Sequence, residues 1–261
     1  MTIHTNVLDL IGNTPMVDVS VLSPNPNVRI IAKLESQNPF GSVKDRIAKQ
    51  MILQAEADGV LQPGQTIMEP SSGNTGIALA AIAKMKGYPI TILMPTSVSI
   101  ERRQMLEVFG AEIILTPGEE GSNGAVKRAQ ELAAQHPEWC FLYQYGNDAN
   151  PRAHYETTGP EIFRDCPEIT HFVAGLGTSG TLMGVGKYLK EQKPDVKVIE
   201  SNQRTSPVEA LARTDDTLAV EEFLPVPFVE QRRDVALVEV AQSLHPLAER
   251  RLDGDHLDVG V

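Results

Sequence analysis

The chain has 261 residues, 41% hydrophobic and 22% charged, a composition that supports a packed core and excludes disordered or fibrous classes. A formal net charge of -11 repels nucleic-acid backbones and anionic membrane surfaces, which leaves small molecules as the expected ligands, with no nucleic acid and no membrane among the partners. Two cysteines, Cys140 and Cys166, give neither a zinc set nor a disulfide framework. MTIHTNVLDLIGNTP has no basic-then-apolar leader and no run of apolar residues is long enough for a membrane span, so the expectation is a soluble, cytoplasmic protein with no bound metal.

In chain order, PMVDVS and RIIAKLE flank the polar segment LSPNPNV and predict a hairpin; a helix follows from about Val43 to Asp58, stopped by Gly59. From residue 66 short apolar runs alternate with amphipathic stretches: TIMEP, NTGIALAAIAKMKG, ITILMP, SIERRQMLEVFG, AEIILTP, AVKRAQELAAQHP. FLYQYG, PRAHYETTGPEIFRD, HFVAG, TLMGVGKYLKEQKP and VKVIE continue the rhythm. Such alternation predicts an α/β fold with parallel strands covered by helices. After Glu200 the pattern stops. The remaining residues contain no Lys, Ile, Tyr, Met or Trp and only Gly254 and Gly260, and EQRRDVALVEVAQSLHPLAERRL reads as helical.

Three segments have residue types suited to chemistry. In NPFGSVKDR, Ser42 and Asp45 stand in a near capping box that puts Lys44 in the first helical turn, where the partial positive charge disfavours an ammonium and favours a neutral, nucleophilic amine. A solvated lysine beside Asp45 and Arg46 is the plain alternative. In EPSSGNTG, Ser71, Ser72, Asn74 and Thr75 crowd a strand-to-helix turn with Gly73 and could cradle an anion or simply cap the helix. In GLGTSGT, Gly177, Thr178, Ser179, Gly180 and Thr181 form a glycine-rich turn suited to a phosphate. Gly175, Gly177 and Gly180 also satisfy G-x-G-x-x-G with Glu200 at the acid position, so an NAD(P)-binding Rossmann-type oxidoreductase is the rival reading. A non-catalytic partner-binding protein is the third. His154, His171 and the other histidines lack ligand spacing, Trp139 and Cys140 read as core, and Glu101, Arg102 and Arg103 read as a solvated helix start.

A dinucleotide site uses only the third segment, whereas a pyridoxal 5'-phosphate (PLP) site uses all three. IGNTP, NPFGSVKDR, EPSSGNTG, ERRQ, YQYGN, HYETTGPEI and GLGTSGTLMG occur in family order over roughly residues 6–199, and in them the chain resembles the cysteine synthases, within the tryptophan-synthase-β-like (fold type II) PLP enzymes. The resemblance implies two open parallel-sheet domains: a smaller one from 1–12 and 36–150, and a larger, phosphate-binding one from 13–35 and 151–200, the latter incomplete. It implies Lys44 as Schiff-base lysine and general base, and Asn74 as the partner of the ring hydroxyl. Gly177, Thr178, Ser179, Gly180 and Thr181 match the phosphate loop, and Ser71, Ser72, Thr75 and Gln144 the substrate-carboxylate contacts.

The implied activity is a transferase reaction, β-replacement on O-acetylserine or O-phosphoserine with a sulfur donor to give L-cysteine through an α-aminoacrylate, in a homodimer. YQYGN and ITHFVAGLGTSGTLMG are similar to the actinobacterial branch that prefers O-phosphoserine. Residues 201–261 depart from the family: its further β–α units, its G-I-S-type loop and the residue that meets the pyridine nitrogen are not found there. The expectation is a chain that binds PLP weakly and turns over slowly.

Overall fold

The computed structural model describes residues 3–23 and 25–201, together with the backbone of a strand at 234–239. Strands β1 (Met16–Asp18) and β2 (Val28–Lys33) form the expected hairpin, with Val17 opposite Ala32. Helix α1 (Lys44–Ala57) follows, burying Ile47, Ala48, Met51, Ile52 and Ala55 at helical spacing, and ends where Gly59 takes φ +71.

The alternating segment then folds as the pattern predicts. Strands β3 (Ile67–Glu69), β4 (Ile90–Pro95), β5 (Glu112–Thr116) and β6 (Cys140–Phe141) alternate with helices α2 (Asn74–Lys86), α3 (Ile100–Val108) and α4 (Gly121–Gln135). The strands form a parallel sheet in the order β5-β4-β3-β6. All residues of α2 from Thr75 to Ala83 are buried, because this helix lies beside α1 and its sequence is apolar on every side. Cys140 is core, as expected, and Trp139 is half-buried against the cluster of Met68, Leu93, Ala125, Ala129 and Leu132.

Of FLYQYG only Phe141 is strand, joined with Cys140 in the two-residue β6, and Tyr143 then turns the chain with φ +51. PRAHYETTGPEIFRD becomes α5 (Ala149–Ala153), a π-turn over His154–Thr158 and α6 (Gly159–Asp165). Strand β7 (His171–Gly175), α7 (Gly180–Gln192) and β8 (Lys197–Ser201) complete the rhythm.

The second sheet runs β1-β2-β9-β7-β8, where β9 is Asp234–Glu239. Here the structure corrects the sequence reading, which makes this stretch helical and places no further strand after Glu200. Asp234–Glu239 pairs in parallel with all six residues of β2 on one side and with His171–Val173 on the other. DVALVE carries β-branched residues, and filling the gap between two existing edges outweighs a helical preference that only its flanks support. The rest of the helix expected from 230 to 252 lies outside the described residues.

Each sheet has its own apolar core. Ile47, Met51, Ile67, Ile82 and Ile92 pack on the first, and Ile162, Phe172, Val185 and Leu189 on the second. A buried ionic cluster joins them: Arg46 of α1 contacts Glu35 at 2.7 Å and Glu161 of α6 at 2.8 Å, and Lys33 of β2 contacts Glu161 at 2.8 Å. The turns that follow β3, β6 and β7 stand at the carboxyl ends of parallel strands, the usual site of ligands in open α/β sheets.

Candidate active site

Helix α1 begins at Lys44, with Val43 at its N-cap, whose own side chain makes no capping bond. Ser42 acts differently from the expected capping box: its Oγ accepts the Lys44 N–H at 3.1 Å, and Asp45 Oδ2 accepts the Phe40 N–H at 2.6 Å. Asp45 is buried, which pushes its carboxyl up to about 6. The Lys44 side chain is half-buried and opens into a cavity of about 340 Å³.

The same cavity is lined by Ser71, Ser72, Asn74 and Thr75 from the start of α2, by Gln144 after β6, and by Gly177 and Thr178 after β7. Three segments far apart in sequence therefore meet at one cavity. The Thr75 hydroxyl donates to Gln144 Oε1 at 2.8 Å, and Ser71 Oγ accepts the Gly76 N–H at 3.2 Å. Gly76 must be glycine for that turn, because a Cβ there would coincide with the Ser71 carbonyl oxygen.

Ser179, Gly180 and Thr181 stand behind Gly177 and Thr178 as the start of α7. Ser179 takes φ +65, a backbone strain for a non-glycine residue of the kind that collects at functional sites. The Thr181 hydroxyl lies 3.2 Å from His154 Nε2, and His154 Nδ1 lies 3.0 Å from the Thr158 hydroxyl. Burial, followed by the charges of Lys44 and Arg46, holds His154 well below the usual histidine range, so it is neutral. Its plain reading as one of several scattered histidines is thus revised: it stands against the glycine-rich turn.

Two further residues escape the sequence reading. Glu69, at the end of β3, is fully buried and accepts the Gln144 N–H at 3.2 Å. Asn150 donates to the Gln144 carbonyl at 3.0 Å and to the Thr178 hydroxyl at 2.8 Å. Arg102 is exposed as expected, yet its guanidinium donates to the Ser72 carbonyl at 3.3 Å and ties α3 to the α2 turn. Glu69 and Arg102 lie in the EPSSGNTG and ERRQ motifs, but the contacts they make, like those of Asn150, are visible only in the tertiary structure.

A lysine, a polar turn at one helix N-terminus and a glycine-rich turn at another fit a phosphorylated aldehyde: an amine for the carbonyl, and backbone amides with a hydroxyl for the phosphate. The profile of the pyridoxal-phosphate dependent enzymes matches residues 7–230. The chain belongs to this family.

Within the family, a cysteine synthase of a Flavobacterium species is 48% identical over 204 residues, which cover 78% of this chain and 66% of the relative. The chain thus spans about two thirds of the length of that curated relative. Among solved structures, O-acetyl serine sulfhydrylase isoform 3 from Entamoeba histolytica is 41% identical with a TM-score of 0.72, covering 76% of this chain and 61% of that one. O-ureido-L-serine synthase is 39% identical with a TM-score of 0.74, covering 91% and 77%. The fold is that of these PLP enzymes, and a nicotinamide site is not favoured. Among the described residues no helix is long and apolar enough to cross a membrane.

Proposed function

We propose that the chain is a PLP-dependent cysteine synthase, catalysing β-replacement on O-acetylserine or O-phosphoserine with a sulfur donor. The observation that carries this reading is that Lys44, the Ser71–Thr75 turn with Gln144, and the Gly177–Thr178 turn line one cavity. When bound, the cofactor supplies an aldehyde for an amine and an electron sink for charge at the substrate Cα.

Lys44 Nζ is the covalent anchor and, once released, the base that takes the α-proton. Ser71, Ser72, Thr75 and Gln144 hold the substrate carboxylate at the α2 N-terminus, where the helix dipole favours an anion. Asn74 holds the ring hydroxyl. Gly177, Thr178, Ser179, Gly180 and Thr181 receive the phosphate at the α7 N-terminus, with neutral His154 fixing the Thr181 hydroxyl.

The four-stranded sheet and its helices correspond to the smaller domain, and the five-stranded sheet to the larger. The separate apolar core under each supports division near residues 12, 35 and 150. A soluble cytoplasmic homodimer completes the proposal. The test is cysteine formation from O-acetylserine and from O-phosphoserine with sulfide by the PLP-loaded chain. Release of cysteine from either substrate supports the reading, and its absence from both, in a chain that binds PLP, refutes it.

A further inference from the structure

Gln144 and Thr178 follow strands of different sheets, and the buried Asn150 amide spans them. The Gln144 oxygen is a carbonyl and can only accept, so the Asn150 atom that meets it is Nδ2, and the same Nδ2 donates to Thr178 Oγ1. Thr178 Oγ1 also accepts the Gly180 N–H at 3.4 Å. With its oxygen engaged by two donors, the Thr178 hydroxyl keeps its proton for donation into the cavity, which is the polarity an anion requires.

The fit around Asn150 is close. It is 1% exposed, and a Cβ at position 180 would coincide with its Oδ1, an oxygen that is itself buried without a hydrogen-bond partner among the described residues. Nothing in such a site permits the amide to rotate away while both donor contacts persist.

We propose that Asn150 is a positioning residue that couples the phosphate turn to the carboxylate turn: an anion on Thr178 tightens the Gln144 segment through the two Asn150 hydrogen bonds. The proposal rests on the reading of the Gly177–Thr181 turn as the phosphate site. It makes occupancy of one half of the cavity a condition that organises the other, so that cofactor binding prepares the turn that receives the substrate carboxylate.

The experiment is hydrogen–deuterium exchange on the cofactor-free chain with and without inorganic phosphate. Phosphate is expected to slow exchange at 176–181 and, at a distance, at Gln144 and Gly146 by about fivefold, the lower end of ordinary coupling. Asn150→Ala is expected to keep the first effect and lose the second. Should Asn150→Ala fail to fold, the near-isosteric Asn150→Leu removes the same two Nδ2 bonds and leaves Thr178 in place. Protection at 176–181 with none at Gln144 and Gly146 overturns the coupling and leaves the phosphate turn standing. Equal distant protection in Asn150→Ala or Asn150→Leu also overturns it. No protection at 176–181 refutes the phosphate turn and the coupling together.

Discussion

Glu69 Oε1 accepts the Gln144 N–H at 3.2 Å in a fully buried position, while Glu69 Oε2 has no hydrogen-bond partner among the described residues. Burial pushes this carboxyl from 4.5 up to about 7, against the opposing pull of the Gln144 and Tyr143 backbone N–H groups. A carboxyl whose folded pKa is raised binds its proton more tightly in the folded chain. Its contribution to stability is therefore fully present below about pH 4.5 and is lost as pH rises through about 7.

Glu69→Gln keeps an oxygen for the Gln144 N–H and removes the titration. Relative to the native chain it is expected to gain roughly 3 kcal/mol between pH 4.5 and pH 8, because each tenfold difference in proton affinity between the folded and unfolded chain corresponds to about 1.4 kcal/mol. Urea unfolding at pH 5 and pH 8 measures the difference. A native-minus-mutant stability that does not change with pH would mean that the carboxyl is not protonated at pH 5 in the way its burial requires.

The Arg46 cluster makes a second, oppositely signed prediction. Burial alone would raise Glu161, but its hydrogen bonds and charge contact with Arg46, aided by Lys33, hold it down to about 2. Arg46→Gln leaves Glu35 and Glu161 buried without their guanidinium and is expected to cost about 3–5 kcal/mol at pH 7. The cost should shrink as pH falls from 4.5 toward 2, where Glu161 protonates. Arg29→Gln breaks the half-exposed contacts to Asp18 and Glu168 and should cost at most about 1 kcal/mol, less in high salt. Equal losses for the two variants would contradict the distinction between buried and exposed pairs.

Gly184 faces the bend between α5 and α6. A Cβ there would coincide with the Pro151 carbonyl and lie 2.7 Å from His154 Cβ, so α7 can approach the π-turn only with glycine at this position. Gly184→Ala is expected to destabilise the chain by about 1–3 kcal/mol, despite alanine's better helix propensity, and to weaken PLP retention by displacing His154 from Thr181. A melting temperature that rises in this variant would show that the helix does not sit against the turn as described.

How much of this the sequence discloses depends on whether the signal is local. The β–α alternation from Ile67 to Ser201 is legible because period and glycine stops belong to each segment by itself, and the three turns that line the cavity are legible because helix N-termini that hold anions need short polar residues and glycine. Asp234–Glu239 reads wrongly as helix because six residues of mixed character become a strand only when two open edges wait for them. Asn150, His154 and Glu69 give no local sign of their roles. Each gains its role from a partner at least 27 positions away, Thr178, Thr181 and Gln144 respectively.

The central claim is that Lys44, and no other lysine, bears the cofactor. Borohydride reduction of the PLP-loaded chain, followed by peptide mass spectrometry, tests it most directly. The expected result is a pyridoxyl group on the peptide that contains Lys44, and none in Lys44→Ala prepared in the same way. A reduced adduct on another lysine of the native chain, or an undiminished adduct in Lys44→Ala, would contradict it.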